Sequence, residues 1–408
     1  MAMGMALLSG CSTSTKGLKS PPQPYSRVRG PEFQQAMGSL LGPPFAGGNR
    51  ITTYENGDEI FPAMLGGIRS AKRTITFETF VFEKGTVPRQ FADALAERAR
   101  AGVKVHVVID AVGGSKSRRY HDMMRSAGVE LVLFRPIWQH PVHFNHRSHR
   151  KLLVIDGTVG YMGGVGIADE WRGNAQSPEH WHETHYKVEG PAVADMQAAF
   201  MDNWLKSGQE LLHGPDYFPP LKSAGSALAS VFYASPEHGS RNVEIMFNLA
   251  ISSARKSLLI ENAYFVPDDG TVDNLVAAAK RGVRVQIIVP GEHMDQPAVK
   301  RASRRRWAKL MEAGIEIYEY KPTMTHLKLL IADDLFVSVG SSNFDYRSMR
   351  INSKANLNVL DKTFAAGQRA IFQRDLQQSE RVTHKENSRK VAAQAPLQIV
   401  EAPLAPQL

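Results

Sequence analysis

The sequence predicts an α/β protein in which two tandem repeats form a pseudo-two-fold, bilobal molecule with one shared active site. Two observations lead to this fold class. Apolar strands and amphipathic helices alternate in the same order twice along the chain, which is typical of α/β units with a largely parallel sheet. The pattern His-x-Lys-x4-Asp-x6-Gly-(Gly/Ser) also occurs twice, once near the end of each series.

Each repeat passes through the same elements before it reaches its motif. A strand, a helix, a second strand, a second helix and a third strand follow one another. The first repeat has RTITFETFVF, VPRQFADALAERARAG, VKVHVVID, HDMMRSAG and VELVLFRP; the second has KSLLIENAYFV, TVDNLVAAAKRG, VRVQIIVP, RRWAKLMEAG and IEIYEYKP. We therefore expect domains over residues 50–225 and 226–382. Residues 1–49 are expected to be a lipoprotein-like signal and linker, and residues 383–408 a flexible tail.

Composition indicates a globular protein with an anionic partner. The 408 residues are 43% hydrophobic and 22% charged, and no apolar run is long enough to predict a transmembrane helix. The net charge of +9 favours either nucleic acid or an anionic lipid surface, or it is a solvated basic surface with no particular partner.

The single cysteine excludes an intrachain disulfide framework. Cys11 ends Leu8-Ser9-Gly10-Cys11 after a short apolar start, which resembles the cleavage box of bacterial lipoproteins. In such proteins the cysteine is lipidated. The alternative is an N-terminal tail with an incidental cysteine, since the positive segment that begins such signals is missing.

The first motif places two basic side chains on one face of a predicted strand. Alternate residues of a strand share a face, so His149 and Lys151 point the same way. Asp156 starts a hairpin-turn signal. A chain that folds back there returns Gly163 and Gly164 beside the His/Lys end, where small residues leave room for a ligand.

The second motif repeats these spacings with His326, Lys328 and Asp333. Its returning strand brings Ser341, Ser342 and Asn343 to the same end, as further candidates for substrate binding. Two neutral imidazoles and two ammonium groups in one pocket suit phosphodiester chemistry. One histidine can attack phosphorus while the other transfers protons, and this chemistry requires neither a metal nor a cofactor.

The doubled motif resembles that of the phospholipase D superfamily, whose members work through a phosphohistidine. Residues 50–382 resemble the bacterial cardiolipin synthases in several further segments. These are Tyr54-Glu55-Asn56-Gly57 with EIFPAMLGGIRSAKRTITFETFVF, WHETHYKVEGPAVADMQAAFMDNW, NAYFVPDD, and GSSNFDYRSMRINSKANLNVLD.

The resemblance implies a role for each motif residue. His149 is implied to be the nucleophile and His326 the general acid and later base, although the sequence leaves the reverse assignment open. Glu183 is implied to orient His149. The phosphate would be held by Lys151, Lys328 and Asn343, and the hairpins would be ordered by Asp156 and Asp333.

Two positions depart from the family pattern. Gly166 stands where an asparagine is common, and Lys354 stands where an acid usually orients His326. A lysine cannot accept a hydrogen bond from imidazole, so Asn352 or Asn356 is the alternative orienting residue.

The resemblance implies phosphatidyl transfer between phospholipids that makes cardiolipin from phosphatidylglycerol. The alternatives are a hydrolase that releases phosphatidic acid, a nuclease of the same superfamily, and a non-catalytic lipid-binding protein. The expected partner is an anionic phospholipid membrane rather than nucleic acid, and the protein is expected to be peripheral or lipid-anchored. The sequence does not define the oligomeric state.

Two further segments admit two interpretations each. The basic helix from Val299 either lies on lipid headgroups with Trp307 in the interface or packs its apolar side inward. The histidines of HPVHFNHRSHRK at 140, 143, 146 and 149 line a loop beside the pocket or, less in keeping with Pro141, form a metal site. Tyr264 and Phe265 line either the pocket entrance or the core.

Overall fold

The computed structural model describes residues 18, 20–136, 138–139, 145–236 and 240–393. Cys11, with its expected lipidation, and the histidines at 140 and 143 lie outside the described residues. No helix within the described ranges is long and apolar enough to cross a membrane.

The described residues form one mixed sheet of 15 strands. The strands are β1 (Ala46–Glu55), β2 (Thr74–Thr79), β3 (Lys104–Asp110), β4 (Glu130–Phe134), β5 (Leu152–Ile155), β6 (Val159–Gly163), β7 (Thr184–Glu189), β8 (Ala227–Ala234), β9 (Ser257–Asn262), β10 (Arg284–Pro290), β11 (Glu316–Tyr320), β12 (Lys328–Ala332), β13 (Phe336–Gly340), β14 (Lys354–Leu360) and β15 (Ser379–Arg381).

Helices cover both faces of this sheet. They are α1 (Pro31–Leu41), α2 (Asn56–Ser70), α3 (Thr86–Arg100), α4 (Arg118–Ser126), α5 (Val193–Lys206), α6 (Asn242–Ser253), α7 (Asp269–Lys280), α8 (Pro297–Glu312), α9 (Tyr346–Arg350), α10 (Lys362–Gln377) and α11 (His384–Ala393), with a 3₁₀ turn at Asp169–Trp171.

The strand order shows the predicted two-fold repetition. From the central pair β1 and β8, one half runs outward as β7-β6-β5-β2-β3-β4 and the other as β14-β13-β12-β9-β10-β11, followed by β15. The expectation of a largely parallel sheet is wrong. Among the described strands, parallel pairing is confined to β2-β3-β4 and β9-β10-β11. Each motif forms a tight hairpin, which joins antiparallel strands, whereas parallel strands need a helical crossover.

The two repeats share a hydrophobic core. One cluster lies under α2 and α3 of the first repeat, and another lies under α6, α7 and α8 of the second. A third cluster, on the side of α5 and α10, combines side chains from both repeats, among them Val154, Met162, Leu329 and Leu357. The motif hairpins are therefore fixed to each other through this common layer.

The segments expected to be linker and tail contain packed helices. In α1, Phe33 and Met37 are buried, and Phe33 makes an edge-to-face contact with Phe336, with ring centroids 5.2 Å apart. The linker expectation is therefore wrong for residues 31–41. The expected flexibility of the tail is wrong for α11, where buried Asn387 donates to the Arg304 carbonyl at 3.1 Å.

Helix α8 packs its aromatic residue inward. Trp307 is 1% exposed and donates from Nε1 to the Ser303 hydroxyl at 3.0 Å. Buried Arg304 donates to Glu319 at 2.6 Å. The interpretation that Trp307 lies in a lipid interface is therefore wrong, and the alternative of an ordinary packed helix is confirmed.

The motif aspartates tie the hairpin turns to the sheet. Asp156 has a φ of 50° and its carboxylate accepts backbone N–H groups from Lys72, Arg73 and Thr74, the nearest at 2.7 Å. Asp333, with a φ of 54°, accepts the equivalent three N–H groups from residues 255–257. Both turns lie at the end of the hairpin away from the His/Lys pair, so the aspartates have a structural role.

Replacing Asp156 should destabilise the fold. Asp156→Ala leaves three backbone donors without their charged acceptor, and we expect a loss of about 2 kcal/mol in the free energy of unfolding. Urea denaturation followed by circular dichroism measures this loss. Asp122→Ala, on the exposed side of α4, is the matched control. Equal midpoints for both variants and the parent would contradict the assigned role.

Candidate active site

Both motifs converge on one cavity of about 330 Å³ between the repeats. Polar side chains from both repeats line it, among them His149, Lys151, His326, Asn343 and Lys354. Its apolar walls include Phe80, Trp171, Trp181 and Tyr264. The structure thus brings together both predicted histidines in the pocket that the repeated motif indicated.

Each histidine is anchored by the backbone of the other repeat. The His149 N–H donates to the Ser353 carbonyl at 2.9 Å, and the His326 N–H donates to the His182 carbonyl at 2.7 Å. Both acceptors lie just before a strand, β14 for Ser353 and β7 for His182. Each histidine is therefore set against the strand that follows the motif of the opposite repeat.

This crossed arrangement changes the partner of Glu183. The carboxylate Oε2 is 2.6 Å from Nδ1 of His326, while Oε1 accepts the Thr184 N–H at 2.9 Å. Glu183 is fully buried. The expectation that it orients His149 is wrong, because β7 faces the motif of the second repeat.

Lys354 occupies the position in the second repeat that Glu183 has in the first. The motif glycine Gly163 pairs with His185, and the equivalent Gly340 pairs with Asn356. Glu183 lies two residues before His185, and Lys354 lies two residues before Asn356. Lys354 Nζ is 2.8 Å from His149 Nδ1. An ammonium group thus faces His149 where a carboxylate faces His326.

The two asparagines considered as orienting residues have other partners. Asn352 Oδ1 accepts from the Arg147 N–H at 3.4 Å and from Arg347 at 3.3 Å. Asn356 Oδ1 accepts from the Ser342 N–H at 3.2 Å. The hypothesis that either orients His326 is wrong.

The motif lysines are buried beside the histidines. Lys151 lines the cavity, and its Nζ donates to the His149 carbonyl at 3.0 Å and lies over the Phe80 ring. Lys328 lies behind the cavity wall. Its Nζ donates to the His326 carbonyl and is 3.9 Å from Glu183 Oε2. Of these two motif lysines, Lys151 is the one placed to contact a ligand directly.

Burial and positive charge control protonation in the pocket. Burial, with added repulsion from the lysines, holds the pKa values of His149 and His326 well below the usual range, so both rings are neutral at pH 7. Burial raises the pKa of Glu183 to about 7 and lowers that of Lys328 to about 8. A neutral imidazole can act as a nucleophile.

The glycines beside the site make room for protein atoms. A Cβ added at Gly163 would lie 2.5 Å from His185 Nδ1, and one at Gly164 would lie 2.1 Å from Glu183 Oε2. The space that we expected a substrate to use is therefore filled by His185 and Glu183. Gly164 is required because the carboxylate that orients His326 passes against its backbone.

The serines and asparagine of the second motif differ in their exposure to the cavity. The Ser341 carbonyl accepts from Lys354 Nζ at 3.0 Å. Within the described ranges, the buried Ser342 hydroxyl and Asn343 Oδ1 have no hydrogen-bond partner. Of these residues Asn343 lines the cavity, so its amide is available to a ligand.

The two tryptophans of the aromatic wall are the main feature that sequence reasoning missed, whereas Tyr264 lines the pocket as one of its two interpretations predicted. Trp171 and Trp181 contact the His326 ring with centroids 5.3 and 5.4 Å away, and Tyr264 lies at 6.3 Å. A Cβ at Gly166 would lie 2.7 Å from the Trp171 ring, which explains the glycine in place of asparagine. The position of Trp181 two residues before Glu183 was the available signal.

Comparisons with known proteins agree with this geometry. Residues 64–204 and 249–376 match the family model described as "Cardiolipin synthase, PLD-like domain". Cardiolipin synthase 2 of Bacillus cereus is 33% identical over 336 residues, which are 81% of this chain and 65% of that protein. Cardiolipin synthase 2 of Staphylococcus epidermidis is 31% identical over 348 residues, covering 84% of this chain and 71% of that protein.

A solved structure shows the same fold. The phosphatidylserine synthase of Haemophilus influenzae has a TM-score of 0.70 at 14% identity, covering 92% of this chain and 100% of that chain. The chain spans about two thirds of the length of the Bacillus relative. Since the family model covers both repeats and both motif regions, the chain belongs to the phospholipase D-like family that includes the bacterial cardiolipin synthases.

Proposed function

We propose that this protein transfers a phosphatidyl group between phospholipids through a phosphohistidine, making cardiolipin from phosphatidylglycerol. The observation that carries the proposal is the convergence of two neutral histidines, each with its lysine, on one buried pocket. The names of the Bacillus and Staphylococcus relatives support the choice of product.

The hydrogen bond to Glu183 supports His326 as the nucleophile of the proposed reaction. Its Nδ1–H donates to the carboxylate, so the lone pair is on Nε2. Nε2 attacks phosphorus, a P–N bond forms, and the P–O bond to the departing alcohol breaks. This assignment reverses the sequence-based expectation that His149 attacks. A carboxylate also stabilises the positive charge that the ring gains as the bond forms.

His149 would then act as the general acid for the departing alcohol and as the general base for the incoming one. The departing glycerol takes a proton from Nε2 of His149, and the incoming phosphatidylglycerol hydroxyl later returns one to it. The charge on the phosphoryl oxygens would be offset by Lys151 at the cavity wall, by the Asn343 amide and, from behind His326, by Lys328.

A membrane surface is the partner that fits this substrate. Trp138 is 73% exposed and lines a surface groove together with the exposed residue Arg118. An aromatic side chain beside a cation suits the headgroup region of an anionic bilayer. We propose peripheral association through the surface around Trp138 and Arg118.

Labelled phosphatidylglycerol liposomes test the activity. Purified protein in the presence of a chelator should release glycerol and form cardiolipin in equal amounts, resolved by thin-layer chromatography. Phosphatidic acid as the main product would instead identify a hydrolase. Cleavage of single-stranded DNA without any lipid turnover would overturn the proposal.

The covalent intermediate should form on His326. Acid-free quenching of the reaction, proteolysis and mass spectrometry should place the phosphatidyl group on the peptide that contains His326. His326→Ala should abolish both the intermediate and turnover. His149→Ala should slow turnover by about 10²–10⁴-fold, the usual contribution of a proton-transfer group, and leave His326 able to accept the label. Labelling of His149 in the parent would contradict the assignment.

The raised pKa of Glu183 makes stability depend on pH. A folded-state pKa of about 7 against 4.5 means that stability is greatest below pH 4.5 and is lost as pH rises through 7. Glu183→Gln removes this dependence. Its stability relative to the parent should therefore increase between pH 5 and pH 8, by about 3 kcal/mol.

Guanidinium denaturation at both pH values measures this difference. Glu97→Gln, on the exposed face of α3, controls for the loss of one carboxylate. A relative stability of Glu183→Gln that stays constant or falls from pH 5 to pH 8 would refute the raised pKa.

A further inference from the structure

Lys354 places an ammonium group where the pseudo-symmetry of the site calls for a carboxylate. It is 1% exposed, and its Nζ has two acceptors, His149 Nδ1 at 2.8 Å and the Ser341 carbonyl at 3.0 Å. An ammonium group can only donate hydrogen bonds. When Lys354 is charged, Nδ1 of His149 accepts from it, which puts the ring proton on Nε2.

The two histidines are thereby held in opposite tautomers. His326 carries its proton on Nδ1, against Glu183, and His149 carries its proton on Nε2, the nitrogen that remains for a substrate oxygen. A neutral Nε2–H is a weak acid by itself. A charged donor that is hydrogen-bonded to Nδ1 makes Nε2–H more acidic, because it can protonate Nδ1 while the Nε2 proton leaves.

We propose that Lys354 and His149 form a proton relay in which Lys354 is the proton source and the imidazole transmits the proton. This inference rests on the proposed phosphatidyl transfer and adds to it the origin of the proton. Lys354 acts on the departing alcohol through His149, so it is a positioning and proton-supplying residue.

Protons and charge are balanced in both half-reactions of the relay. As the P–O bond breaks, the departing alkoxide takes the Nε2 proton of His149, and Nδ1 takes a proton from the Lys354 ammonium. The alcohol leaves neutral, Lys354 becomes a neutral amine, and the ring changes tautomer without becoming charged. When the second alcohol attacks phosphorus, its proton passes to Nε2, Nδ1 returns a proton to Lys354, and the P–N bond to His326 breaks.

The Ser341 carbonyl can serve both states of the relay. Before transfer it accepts from Lys354, and it also lies 3.1 Å from His149 Nδ1. After transfer the new Nδ1–H can donate to this carbonyl or to the Lys354 amine. Nδ1 of His149 therefore has a hydrogen-bond partner in both tautomers.

The charges around Lys354 suit a group that gives up its proton near neutral pH. Burial lowers the pKa of Lys354 to about 7, attraction to Asp345 opposes this shift, and repulsion from Lys328 and Arg347 adds to it. On the side of His149, Lys151 and the His326 ring further disfavour a charged imidazole. An imidazolium acid is therefore unfavourable here, while a lysine donor is well matched to its task.

Leaving-group chemistry tests the relay. Lys354→Met should slow glycerol release from phosphatidylglycerol by about 10²–10⁴-fold, because the alkoxide has no proton source. The same variant should release p-nitrophenol from phosphatidyl-p-nitrophenol within about tenfold of the parent rate, since p-nitrophenolate leaves without a proton. Stopped-flow absorbance measures the rate of p-nitrophenol release. An equal loss with both substrates would overturn the relay and indicate a structural defect.

Lys354→Arg separates charge from proton transfer. The guanidinium keeps the positive charge but does not give up its proton. The Lys354→Arg variant should therefore release glycerol from phosphatidylglycerol as slowly as Lys354→Met does. Recovery of the parent rate by Lys354→Arg would show that charge alone matters and would overturn the relay. Lys104→Met, at an exposed position of β3, is the matched control and should keep both rates.

The pH profile gives a second measurement. In the parent, glycerol release should fall as pH rises through about 7, where Lys354 loses its proton, and p-nitrophenol release should lack this decline. Persistence of the decline in Lys354→Met would overturn the relay. These outcomes are separable from the proposed function, which is tested by whether the parent protein forms cardiolipin from phosphatidylglycerol.

Discussion

The crossed backbone contacts between the repeats determine the rest of the site. The backbone N–H of His149 is hydrogen-bonded to Ser353, and that of His326 to His182. The residue after each acceptor, Lys354 or Glu183, therefore faces the histidine of the opposite repeat. Glu183 and Lys354 therefore act on a histidine distant in sequence. Neither repeat alone contains both a catalytic histidine and the side chain that contacts its Nδ1, and the cavity is lined by residues of both repeats.

The buried charges of this site are costly, and the surrounding fold offsets the cost. Glu183, Lys151, Lys328 and Lys354 are all at most 4% exposed, and taking charged groups out of water disfavours folding. The continuous sheet and the cluster shared by α5 and α10 bury large apolar areas from both repeats. The apolar layer holds the ammonium groups close together, which keeps the histidines neutral and the lysines able to release protons.

Periodicity and spacing were enough to predict the repeat architecture and the two His/Lys pairs. Alternation along a strand placed His149 with Lys151 on one face, and the turn signal at Asp156 located the hairpin. Local patterns carry no information about which repeat supplies a neighbour, so the partner of Glu183 was assigned to the wrong histidine. Helix α1 was missed because the Pro- and Gly-rich composition around it outweighed its apolar spacing, and Trp171 was missed because only the folded chain brings it against His326.

The docking of α1 has a consequence for how the protein is made. Phe33 packs on Phe336, a partner about three hundred residues later, and the central strand β1 pairs with both β7 and β8. Contacts of such long range slow folding, because most of the chain must be ordered before they form. As a ribosome releases the chain from its N-terminus, the first repeat emerges without the second repeat's side chains of the shared cluster and with β1 not yet paired to β8. The active site therefore cannot assemble until the second motif has been synthesised, because each histidine takes its side-chain partner from the other repeat.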